Sequence, residues 1–116
     1  MRVFSHKDVP LQVAEEGAQG VKVRWLITSE TGAPNFYMRL FEVSPGGSTP
    51  FHSHPWEHEV FVLEGRGLAQ GPISTHPIQE GDVIFTSPGE EHQFRNNGEQ
   101  PLRFLCLIPS EKFRGK

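Results

Sequence analysis

The chain has 116 residues, a formal charge of −3 and a pI near 6.0. That length suits one domain with a real core and leaves little room for a second. No basic run suggests nucleic acid as a partner, no apolar stretch is long enough to span a bilayer, and the lone cysteine, Cys106, cannot form an internal disulfide.

Residues 1–20 are weakly patterned and read as an N-terminal arm, with charge at Arg2, Lys7 and Asp8 and no apolar block behind it. This is not the pattern of a signal peptide, so the cytoplasm is the expected location. Val21 to Thr28 alternates apolar and basic residues and predicts the first strand. Glu30 to Pro34 is a turn, Phe36 to Val43 a second strand, and Ser44-Pro45-Gly46-Gly47 is expected to break it. Pro50 to His54 is a short extended piece ended by Pro55. His58 to Leu63 is a strand closed by Glu64-Gly65.

Leu68 to Gln70 and Ser74 to Ile78 predict a hairpin around Gly71-Pro72. Val83 to Thr86, Glu91 to Arg95 and Leu102 to Ile108 complete the strands. The 12 glycines and 10 prolines cut the chain into short apolar segments, and none holds a helical period. The expected class is therefore all-β, a barrel or sandwich, spanning residues 21–110 with a short tail at 111–116.

Three of the six histidines fall within seven residues. Residues two apart on a strand share a face, so His52 and His54 project together. His58 lies an even step beyond and returns to that face if the chain turns at Pro55. His92 arrives from a distant strand. Clustered imidazoles are the commonest ligand set for a transition metal.

These residues resemble the cupins, whose two motifs are G-x5-H-x-H-x3-E-x6-G and G-x5-P-x-G-x2-H-x3-N. The first reads Gly46, His52, His54, His58 in place of the usual glutamate, and Gly65. The second reads Gly81, Ser87 in place of the proline, Gly89, His92 and Asn96. The resemblance covers about residues 36–108 and implies a double-stranded β-helix (jelly-roll) barrel, usually paired as a homodimer. The His52–Glu59 segment is similar to that of small manganese-binding cupins of thermophilic bacteria. It implies a metal held by His52, His54, His58 and His92, with Glu57 or Glu59 replacing His58 if a one-residue bulge intervenes. Manganese is the first choice; iron, copper, nickel and zinc are alternatives.

Strand parity predicts the rest of the site. With Glu42 facing water beside Met38 and Leu40, the opposite face carries Tyr37, Arg39, Phe41 and Val43. Phe94, Phe104, Cys106 and Ile108 face inward by the same argument. Arg39 is then an inward cation, expected to anchor a substrate group, in a pocket lined by Tyr37, Phe94, Phe104, Cys106 and Ile108. Two function classes follow. One is a dioxygenase-like oxidoreductase acting on a small, enolisable or unsaturated organic molecule. The other is a non-catalytic or regulatory protein that binds metal and a small molecule. Since imidazole must be neutral to ligate, metal is expected to leave as pH falls below about 6.

Overall fold

A computed structural model describes residues 1–14 and 16–114. Among the described residues there are nine strands: β1 (Gln12–Val13), β2 (Gln19–Ile27), β3 (Phe36–Ser48), β4 (His58–Glu64), β5 (Arg66–Gln70), β6 (Thr75–Gln79), β7 (Val83–Thr86), β8 (Gln93–Arg95) and β9 (Leu102–Pro109). The only helical pieces among the described residues are three single turns of 3-10 helix, as glycine and proline spacing predicted.

The sheet runs β6-β5-β8-β3-β9-β4-β7 with every pairing antiparallel, and β2 adds to β3. The sheet curls so that one face of each strand meets the others in a common core. β9 shows the sorting most clearly: Leu102, Phe104, Cys106 and Ile108 are buried, while Arg103, Leu105 and Leu107 are only half-buried. Val43, Val62, Leu102 and Phe104 are almost fully inaccessible, at 0–1% exposure. Burying each such side chain stabilises the fold by about 1.5–3 kcal/mol.

Two sequence expectations need correcting here. Pro45-Gly46-Gly47 does not end the strand; β3 continues to Ser48. Gly46 takes φ +82°, a conformation L side chains rarely adopt, and its N–H reaches Asn96 O at 2.9 Å. A Cβ on Gly47 would lie 2.5 Å from Gln19 O, so two glycines let β2 and β8 both close on the bend. Leu40 is also buried, although it shares a face with Glu42. It lies between Arg24 of β2 and Leu105 of β9 in register, where two flanking strands replace solvent.

The N-terminal arm is not free. β1 pairs antiparallel with β2, Gln12 opposite Val23, and Ala14 and Ala18 reach the barrel mouth. Residues 115–116 of the expected tail lie outside the described residues; Glu111–Phe113 forms one 3-10 turn.

Candidate metal centre

Two extended segments cross at the mouth of the barrel. Thr49 N–H donates to Phe94 O at 2.9 Å, His52 N–H to His92 O at 3.2 Å, and His92 N–H to His52 O at 2.9 Å. This pairing sets the His52 and His92 rings 5.0 Å apart. A third contact ties in the 87–90 turn, whose Gly89 N–H donates to His54 O. Ser87, which stands where the motif has proline, uses its own N–H on Glu90 Oε1 at 3.0 Å. Proline has no N–H for that bond.

The ligand atoms of His52, His54 and His92 lie within 4.8 Å of one another. His58 opens β4 beside them, its ring 4.8 Å from that of His92 and 5.3 Å from that of His54. His58 is 5% exposed. Glu57 and Glu59 both face solvent, and no one-residue slip brings either of them inward. The four histidines expected from sequence thus converge, with three in the tighter group.

The ring protonation suits ligation. His92 Nδ1 lies 2.9 Å from Glu90 O, and a carbonyl only accepts, so Nδ1 carries the proton and Nε2 keeps its lone pair. His58 Nδ1 sits 3.4 Å from Cys106 Sγ, leaving Nε2 buried and without a partner. An orphaned buried nitrogen costs about 1–3 kcal/mol unless something meets it, and a cation would. Burial, followed by the charges of His52 and His92, lowers the pKa of His54 to about 4. Burial, followed by the charge of His92 and then of Arg39, lowers that of His58 to about 3. Both rings are neutral at pH 7. The donor set fits a divalent transition metal.

Beneath the histidines lies a small cavity of about 40 Å³ that opens at the barrel mouth. Arg39, Phe94, Phe104 and Cys106 line it, as parity predicted. Tyr37 and Ile108 do not. They face the same way but pair with each other two residues along β3 and β9 from Arg39 and Cys106. Parity gives the face of a strand, not the depth along it, and both side chains are spent on the core. Sequence reading missed Ala14 and Ala18, which bring the arm over the cavity, and Thr49 and Pro50 at its rim. It also left Trp56 without a defined contact; its ring stacks on His54 at 4.4 Å and 6°.

Arg39 is 9% exposed. Its Nη2 donates to Cys106 Sγ at 3.1 Å, and its guanidinium lies 4.8 Å from the Phe41 ring and 5.3 Å from that of Trp25. Burial pushes the Cys106 thiol up, with Arg39 opposing. No carboxylate among the described residues lines the cavity or pairs with Arg39.

The cupin domain (Cupin_2) family matches residues 39–108. The polyketide cyclase RemF of Streptomyces resistomycificus has a similar structure, with a TM-score of 0.90 and 41% identity over 96% of this chain and 80% of that one. The oxalate-binding protein of Thermotoga maritima is 34% identical over 93% of both chains. The tetracenomycin polyketide synthase protein TcmJ of Streptomyces glaucescens is 28% identical over 83% of this chain and 66% of its own length.

Proposed function

The chain belongs to the cupin family, and from that premise we propose that it binds a divalent transition metal through His52, His54, His58 and His92 and acts on a small, enolisable carbonyl compound. The observation that carries this reading is the convergence of four imidazoles on a cavity with aromatic walls. Manganese is the first choice, with iron, copper, nickel and zinc as alternatives. When bound, such an ion supplies Lewis acidity and, for manganese or iron, access to redox chemistry.

The protein's own groups do the rest. The Glu90 carbonyl fixes the His92 tautomer, and Cys106 meets His58 from behind. Phe41, Phe94 and Phe104 exclude water from one side of the substrate, and Arg39 holds a polar end of it. With this arrangement, a dioxygenase-like oxidation follows if the metal is redox-active. Similarity to a polyketide cyclase favours a second course, ring closure through an enolate with no change of oxidation state. Similarity to an oxalate-binding protein supports a third, binding without turnover.

One experiment sorts them. Protein purified without added metal is analysed for bound elements, then reconstituted with Mn2+, Fe2+ or Zn2+ and given diketones with and without dioxygen. Oxygen uptake with manganese or iron only is the oxidoreductase outcome. Turnover with zinc under nitrogen is the cyclase outcome. Absence of metal uptake overturns the whole reading.

The homodimer expected from sequence belongs to the same proposal. Val83, Phe85 and Phe61 leave an apolar outer face on β7 and β4, at 73%, 58% and 43% exposure, which a second copy would cover. Light scattering at the mass of one chain overturns that part.

A further inference from the structure

We propose that the cavity selects a carboxylate, and that the ligand is a 2-oxo acid with an aromatic or similarly flat apolar tail. This rests on the reading of the cavity given above and deepens it. Arg39 is nine-tenths buried, yet its only hydrogen bond among the described residues goes to a neutral thiol. Its Nε is buried with no partner among the described residues. A buried guanidinium without a carboxylate is expensive, and its planar fork matches a carboxylate better than any neutral group. The surroundings add to the demand for negative charge. No acidic side chain among the described residues lines the cavity, and Arg114 also acts on His54 with positive charge.

Placement defines the rest of the ligand. A single sulfur atom separates Arg39 from the inner histidine: Cys106 Sγ is 3.1 Å from Arg39 Nη2 and 3.4 Å from His58 Nδ1. A molecule whose carboxylate meets Arg39 therefore has its adjacent carbonyl oxygen on the side of the histidines. The remaining wall is apolar, with Phe41 stacked on Phe104 at 5.3 Å and Phe94 tilted against Phe104 at 5.0 Å. A flat tail gains from that wall, whereas a second carboxylate would lose its hydration there.

The test uses phenylpyruvate, the neutral ketone phenylacetone and oxalate as probes, titrated calorimetrically into the full chain with and without Mn2+. Phenylpyruvate is expected to bind at least about tenfold tighter than phenylacetone, from one charge-assisted pair. Arg39→Met should erase that gap, and Arg39→Lys should keep part of it. A gap within about twofold, or one that survives Arg39→Met, overturns the proposal. Should Arg39→Met lose its cooperative melt, the comparison of the two probes on the unaltered protein still decides. Oxalate binding tighter than phenylpyruvate overturns the apolar-tail half. Failure of Mn2+ uptake with the gap intact defeats the metal reading alone; normal uptake with no gap defeats this inference alone.

Discussion

The backbones of His52 and His92 hydrogen-bond in both directions, at 2.9 and 3.2 Å, although 39 residues of chain lie between them. Their side chains are thereby set on one side of a single bridge without depending on each other. Fold and ligation are separable at this point. His92→Ala should keep the far-ultraviolet dichroism of the parent while metal affinity falls by more than about 100-fold, beyond the usual loss for an outer-shell partner. His58→Glu restores the residue the family commonly has, and should retain metal with altered reactivity. Calorimetric titration with Mn2+ checks both; complete loss of binding in His58→Glu would mean that the site geometry is not the one described.

Metal-free stability should depend on acid. His54 and His58 have folded pKa values lowered to about 4 and about 3 from 6.5. Below pH 6.5 the unfolded chain takes up protons that the folded chain refuses, so stability is full above that value and declines as pH falls toward 3. Thermal melts of metal-free protein from pH 7.5 to pH 4 (about seven half-unit steps suffice) should show a falling midpoint, with a smaller fall in His58→Gln. The same values move proton competition at these two rings well below the pH of about 6 expected from unperturbed imidazole. Retention of metal at pH 5 is the expected result of dialysis and elemental analysis.

Cys106 should matter through its sulfur as an acceptor rather than as a reactive thiol. It receives Arg39 Nη2–H and lies against His58 Nδ1, the nitrogen that must carry the proton if Nε2 is to ligate. Cys106→Ala leaves both without that partner, and metal affinity should fall about tenfold. Cys106→Ser keeps an acceptor and should lose less. Equal affinity in all three proteins would show that the sulfur does not orient His58.

Asn96 completes the second motif but touches no ligand. Its amide donates to Val43 O at 2.9 Å and Gln100 O at 2.8 Å, and its carbonyl accepts from Gly98 N–H at 2.9 Å. It is 2% exposed. Asn96→Asp replaces two donors with acceptors facing carbonyl oxygens and should cost about 3 kcal/mol or more. Urea unfolding measures this, and an unchanged midpoint would contradict the role.

Much of this molecule is legible in its sequence. Alternation of residue types located most of the strands, because a half-buried sheet sorts residues with period two. Motif spacing brought His92 to His52 and His54 across the chain. Parity also placed Arg39 inward, correctly against the general expectation that arginine faces water.

What parity could not supply was position along a strand or contact across one. Tyr37 shares Arg39's face but lies beyond the cavity, while Ala14 and Ala18, unremarkable in sequence, form its wall. The choice between His58 and its flanking glutamates needed the β4–β7 register, which sets His58 opposite Thr86 and leaves Glu59 on the outer face opposite Phe85. The sequence alone determined the class of fold and the residues able to ligate, because both follow from periodicity and donor chemistry. Only the tertiary structure decided that a buried arginine meets a thiol instead of a carboxylate, because that depends on which strands lie side by side.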